Sequence, residues 1–312
     1  MIQPRVISLL PSATEIAAAL SCRQNLVGRS HECDFPRGVE KLPICSSTKV
    51  SVRDSSYQID ERVKQIVAEG LSVYRVDADR LRELQPDLIL TQTQCAVCAV
   101  TPRDLDEALC TWVGTQPAIL SLEPNALADV WIDIRRVGEV LGVSERADEL
   151  IRSLTLRLAV IREKAAAAKS RARVAAIEWL GPLMAGGNWM PELIEIAGGH
   201  SLFAQSGQHS CWLEWSDLID ADPEVILLAP CGFRISQTVA DLDLLTQHPA
   251  WPKLRAVQRD RVYLIDGHHF FNRPGPRLVE SAEIVAEILH PDRFVFGHRG
   301  KGWIALNEVV RF

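Results

Sequence analysis

Two short segments repeat on either side of one long helical stretch, and this constrains the fold more than any other feature of the chain. Gln85-Pro86-Asp87-Leu88-Ile89-Leu90 is echoed by Asp222-Pro223-Glu224-Val225-Ile226-Leu227-Leu228. In each, a proline separates a helix end from an apolar run, because its fixed φ and missing N–H stop the helix there. The openings match as well: Arg5-Val6-Ile7 has its counterpart in Arg173-Val174-Ala175. Between the two sets lies a helical pattern over 125–170, broken near Gly142-Val143 and restarted at Ser144. Leu150, Leu154, Leu158 and Ile161 recur in it at three- and four-residue spacing, and the alanines of 165–168 carry it on. The stretch 144–169 reads as one helix of about 26 residues, spanning about 39 Å at 1.5 Å per residue. Two similar lobes joined by a rigid strut are the simplest chain that fits.

Within each lobe, apolar runs of strand length alternate with helical patterns, which is the signature of an α/β fold with mainly parallel sheets. Strands are expected at 6–10, 26–28, 87–91, 173–177, 225–228 and 262–265. Helices are expected at 60–69, 79–84 and 104–111. A further helix follows Pro11, with Ser12 and Glu15 spaced as a capping box. The expected organisation is an N-terminal α/β lobe over 1–124 and a connecting helical region with the strut over 125–170. A C-terminal α/β lobe over 171–290 follows, then a tail over 291–312 that packs on a lobe. The ligand cleft is expected between the lobes.

Composition removes several classes of function. A net charge of −6 offers no basic face for nucleic acid, so no nucleic-acid partner is expected. No run approaches the roughly 18 apolar residues that a membrane span requires, so no membrane insertion is expected. Residues 1–4 leave no room for an export leader before the first strand. The chain as it stands therefore reads as cytoplasmic, or as periplasmic or surface-bound if a leader was removed. The eight cysteines suit a reducing compartment better than a disulfide framework, which belongs to shorter chains. No G-x-S-x-G elbow, phosphate loop or H-E-x-x-H zinc helix occurs, and the reading is not an enzyme.

The opening RVISLLPSATE, the segment LVGRSHECDFP, the turn LQPDLIL and the late segment FFNRPGPRLVES resemble the vitamin B12 receptor group of substrate-binding proteins. These are the binding components of ABC importers for cobalamin, iron–siderophores and haem. The resemblance runs over 5–289. It implies two α/β lobes bridged by one long helix, a metal-chelate ligand, no required cofactor, a monomer, and an ABC permease as partner. In the receptor an acid on each lobe docks onto transporter arginines; the matching positions here are Asp79, still acidic, and Asn272, which is not.

Ligands of open parallel sheets bind outside the carboxyl ends of the strands. The loops expected there carry His31, Cys33, Gln94 and Cys95 in the first lobe, and Trp179, Trp189, Phe233, His269, Phe270 and Arg273 in the second. A corrin is a wide, mostly apolar disc with amide edges, so it calls for aromatic walls and a few donors. His31, Cys33, Cys95, Cys98, His268 and His269 are the candidates for holding metal, whether the cobalt of a corrinoid or a zinc ion. A zinc site needs a second pair to go with Cys95-x-x-Cys98, and Cys33 with His31 is the one at hand. Cysteines packed as inert small hydrophobes, and a redox pair, stay open beside that reading. Two other functions stay open as well: a metal- or thiol-dependent enzyme using the Cys95/Cys98 region, and a haem- or siderophore-binding protein.

Overall fold

The computed structural model describes residues 3–51, 54–69, 72–92, 105, 109, 116–168 and 170–309. It divides into two compact units. One comprises Met1–Arg53, Glu61–Pro124 and Ala128–Ser153; the other comprises Asp54–Asp60, Asn125–Leu127 and Leu154–Phe312.

As far as Ala166 the chain forms strands β1 (Val6–Ser8), β2 (Leu26–Arg29), β3 (Ser46–Thr48), β4 (Tyr74–Val76), β5 (Leu88–Gln92) and β6 (Ala118–Leu122). Its helices are α1 (Pro11–Ala19), α2 (Ser56–Ala68), α3 (Ala78–Leu84), α4 (Leu127–Val140) and α5 (Ser144–Ala166). In the first unit β2, β1, β5 and β6 lie side by side in that order, all parallel, while β3 and β4 pair antiparallel beside them. Val6, Ile7, Ile89 and Leu90 are fully buried, as expected of strands covered on both faces. The strand order steps outward from β1 in both directions, so the loops after β1, β2 and β5 gather at one edge.

The second unit contains β7 (Arg173–Leu180), β8 (Leu183–Ala185), α6 (Met190–Ile196), β9 (His200–Ser201), β10 (Cys211–Trp212), α7 (Trp215–Ala221), β11 (Val225–Leu228), β12 (Val262–Ile265), α8 (Leu278–Leu289) and β13 (Trp303–Ala305). Its sheet runs β10-β8-β7-β11-β12-β13, with β9 pairing β7. The centre is parallel, and β8, β10 and β13 add antiparallel edges. Ala175, Ile177, Ile226, Leu228, Val262 and Leu264 form one core cluster with Leu218, Leu245 and Trp251.

The internal repeat is a repeat of hydrogen bonds. Helix α3 ends at Gln85 with φ 41° and helix α7 ends at Asp222 with φ 39°, both left-handed and both followed by proline. Asp87 accepts the N–H of Arg5 at 2.7 Å, and Glu224 accepts that of Arg173 at 3.0 Å. The two guanidinium groups donate to the last carbonyls of the helices, Arg5 to Leu84 and Arg173 to Ala221, each at 2.7 Å. The same arginine thus ties a strand start to a helix end in both units.

Two local expectations change. Helix α1 starts at Pro11 with Leu10 as its cap, and no side chain caps it. Proline fits there because the first helical N–H lacks an intrahelical partner anyway. Ser12 and Glu15 are buried and do not form the capping box. The strut helix α5 stops at Ala166, short of 169; it starts in the first unit and ends in the second. The tail forms a strand of the sheet, since β13 pairs antiparallel with β12. Its anchor is Glu287 on α8, a buried carboxylate that accepts the N–H groups of Phe296, Gly297 and His298 and the indole N–H of Trp303. Among the described residues no helix is long and apolar enough to cross a membrane.

Candidate functional site

In the first unit the carboxyl edge is organised by Arg29, the last residue of β2. Its buried guanidinium donates to the carbonyls of Ser30 at 2.9 Å, His31 at 3.4 Å and Glu40 at 2.9 Å, drawing the following loop onto the sheet. This places His31 over β3. Its Nδ1 lies 3.1 Å from the Ser46 hydroxyl, which itself donates to the Ser30 hydroxyl at 3.2 Å. The ring of Tyr74 lies 5.7 Å away, tilted by 47°. Burial, and then the charge of Arg29, pull the imidazole below its ordinary pKa, so it is neutral at neutral pH. The other nitrogen, Nε2, is covered and has no hydrogen-bond partner among the described residues.

Cys33 follows on the same loop and is buried. Its thiol is 0% exposed, receives the Thr14 hydroxyl at 3.1 Å and faces the Ser8 carbonyl at 3.9 Å. The sulfur lies where Thr14 of α1 and Ser8 of β1 meet it. Gln94, Cys95 and Cys98, the other residues expected at this edge, lie outside the described residues.

The second unit builds its edge from the ends of β7, β11 and β12. Trp179 is half-buried and meets Phe233 edge to face, with ring centroids 5.4 Å apart. Glu178 accepts the Ser210 hydroxyl at 2.8 Å, and that hydroxyl accepts the Gly187 N–H at 3.1 Å. After β12 comes Asp266, which gathers the N–H groups of His268 at 3.0 Å and His269 at 2.9 Å, and Nδ1 of His269 at 3.1 Å. Burial pushes this carboxyl up, but the hydrogen bonds from His269 and the charge of both imidazoles outweigh it and hold the pKa below its usual value. Gly267 is required between them, because a Cβ there would lie 2.2 Å from the Pro230 carbonyl oxygen. His268 presents Nε2 to the Arg273 guanidinium at 3.0 Å. Arginine can only donate, so this nitrogen accepts.

Several residues expected to wall a ligand hold this loop together. Trp189 is 8% exposed and donates its indole N–H to the carbonyl of Phe271. Phe271 is 1% exposed with φ 61°, a costly conformation for a bulky side chain. The Trp189 contact and the Ser281 hydroxyl, which accepts its N–H at 3.0 Å, keep it there. Phe233 and Arg273 are buried, and Phe270 lies buried under Arg277, whose guanidinium sits 4.5 Å from the ring centre. Trp179 and His269 keep more open faces. Asn272 is half-buried and donates to the carbonyls of Gly267 at 3.0 Å and Ala229 at 3.3 Å. It ties the turn after β11 to the turn after β12, and an aspartate there would set a carboxylate against two carbonyls. Asp79 lies on the surface of α3, paired with Arg82.

Sequence reasoning missed Asp266 and Ser46. The acid directly before Gly267-His268-His269 is a local signal, since a short carboxylate readily accepts N–H groups two and three residues on. Ser46 had no signal, because it reaches His31 only through the fold.

A family model described as periplasmic binding protein matches residues 6–268. An uncharacterized ABC transporter substrate-binding lipoprotein, YvrC of Bacillus subtilis, is 24% identical over 93% of this chain and 81% of its own length. A vitamin B12-binding protein of Photorhabdus laumondii is 25% identical over 92% of this chain and 88% of its own length. A periplasmic heme binding protein from Pseudomonas aeruginosa superimposes with a TM-score of 0.72 at 18% identity, covering 94% of each chain, and so shares the fold.

Proposed function

Starting from the fact that this chain belongs to the periplasmic binding protein family, the substrate-binding components of ABC transporters, we propose that it reversibly binds cobalamin or a closely related metal chelate for uptake. One observation carries the reading: a vitamin B12-binding relative is 25% identical over 92% of the chain. The chemistry of the edges supports it. The Trp179–Phe233 pair offers an apolar wall for a flat macrocycle, and the imidazoles of His268 and His269 with Arg273 beside them offer polar contacts. The reading assigns the chain no catalytic step, and an ABC permease is the partner that would receive the cargo.

Calorimetry of the full chain with aquocobalamin, cobinamide and ferric haemin, followed in parallel by visible absorption, tests this. One corrinoid per chain with a micromolar or tighter Kd, about −8 kcal/mol or better, is expected. Heat and spectral change with haemin alone would move the ligand to the porphyrins. Neither signal with any probe overturns the proposal.

A further inference from the structure

We propose that the C-terminal tail positions the ligand loop of the second unit. Residues 296–305 form a strap that fixes Asp266 and Phe270, and His298 is the positioning residue that keeps the strap closed. The inference rests on the binding function proposed above, because the loop over 266–273 belongs to that candidate site. It adds a segment beyond the residues 6–268 that the family model matches.

The tail reaches the loop at two points. Strand β13 pairs with β12 as far as Trp303 opposite Ile265, and the bonding then runs one residue further. The Asp266 N–H donates to the Gly302 carbonyl at 2.9 Å. Asp266 is the acid that gathers the N–H groups of His268 and His269, so the tail fixes the backbone around which the loop is folded. The second point is Phe270. A Cβ on Gly302 would lie 3.2 Å from Cε2 of Phe270 and 2.9 Å from Cδ1 of Ile284, so the tail backbone is seated against both. The ring of His298 meets Phe270 edge to face, with centroids 6.0 Å apart. Phe270 in turn donates its N–H to the Asp266 carbonyl at 3.1 Å. One stretch of tail thus supports both ends of the turn that carries His268 and His269.

Two buried carboxylates one helical turn apart on α8 hold the strap. Glu287 accepts the N–H groups of Gly297 at 2.6 Å and His298 at 3.2 Å, and the Trp303 indole at 2.9 Å. Glu283 lies 3.0 Å from Nε2 of His298 and accepts the Arg157 guanidinium at 2.6 Å. Burial pushes the Glu283 carboxyl up, but the hydrogen bonds from His298 and Arg157 outweigh it and hold the pKa below its ordinary value. An ionised carboxylate can only accept, so Nε2 of His298 is the donor. The His298 carbonyl then accepts the N–H groups of Lys301 at 3.1 Å and Gly302 at 2.7 Å, which turns the chain back toward the loop. His298 is therefore held through its N–H, its carbonyl and its ring. Ordering a loop when a ligand arrives costs affinity, and a strap that orders it beforehand removes that cost.

Calorimetry of the full chain with aquocobalamin, or with ferric haemin where that binds better, is paired with hydrogen exchange of the ligand-free chain read by mass spectrometry. His298→Ala is expected to bind the probe roughly three- to tenfold more weakly. Exchange should speed up in 266–273 while β7 and β11 keep their native protection. His298→Gln, whose amide nitrogen can donate to Glu283 in place of Nε2, should recover most of both losses. Gly302→Ala leaves the His298 side chain in place and sets a methyl group against Phe270. It should disturb the same loop, and it carries the test if His298→Ala fails to fold, which thermal melting checks. Native affinity and native exchange in both His298→Ala and Gly302→Ala overturn the proposal. So does a loss that His298→Gln does not rescue and that comes with faster exchange throughout the second unit, the mark of a merely structural contact. If neither probe binds the native chain, the binding function fails, and exchange in 266–273 decides by itself whether the tail holds the loop.

Discussion

At the ends where their strands begin, the two units are built alike, and at the ends where their strands finish they are not. Arg5 with Asp87 and Arg173 with Glu224 make the same strand-to-helix tie, within a few tenths of an ångström. At the carboxyl edges the first unit offers His31, with its Nε2 unmet among the described residues, while in the second Asp266 holds His269, His268 meets Arg273 and Trp189 holds Phe271. The difference teaches which parts of the chain are constrained by folding. A helix that must stop and feed a buried strand needs the same few bonds wherever it occurs. The loops that leave the strands are free to differ, and there the chemistry gathers.

The largest effect that would break this contrast concerns Trp189. If the second unit's edge is a self-supporting network, Trp189→Ala should cost about 3–5 kcal/mol of stability, because it removes a buried indole and strips the Phe271 carbonyl of its donor. Urea unfolding measures it; a stable variant that has lost only ligand affinity would show Trp189 to be a wall of the site instead.

Asp266 sharpens the same point through pH. Its folded pKa lies below the ordinary carboxylate value of about 3.9. Its contribution is therefore present above about pH 4 and is lost as pH falls through the depressed folded value. Asp266→Asn should cost about 1–3 kcal/mol at pH 7, and the gap from the native chain should close in more acidic buffer. A gap that stays constant down to pH 2 would mean that the charge on Asp266 does not hold the loop.

The smallest effect tests the likeness of the two bases. Arg5→Ala and Arg173→Ala should each cost about 0.5–1.5 kcal/mol and agree with one another within about 0.5. Chemical denaturation of both variants decides it, and a difference above about 1 kcal/mol would show that the geometric repeat is not an energetic one.

Much of this scaffold was legible before any coordinates. The proline turns at Pro86 and Pro223 located both helix-to-strand joins, since proline acts on its own backbone whatever surrounds it. The apolar period of α5 located the strut, although its end at Ala166 came earlier than helix propensity alone suggests. Site chemistry was legible only as a set of residue types. Of that set, His31, Trp179 and His269 lie at strand ends with partly open rings, whereas Cys33, Phe233 and Phe270 are interior.

What the sequence determined by itself is therefore what depends on near neighbours: the order of elements, their type, the internal repeat and the family motifs. These follow from backbone preferences and from periods of two or 3.6 residues. What only the tertiary structure decided is which side chains are bound up and which are not. Cys33 is covered because Thr14 and Ser8 meet it from another strand and helix. His31 has its Nδ1 engaged because Ser46, on a different strand, stands 3.1 Å away. Burial and partners are set by atoms far away along the chain, and no local pattern records where those atoms arrive.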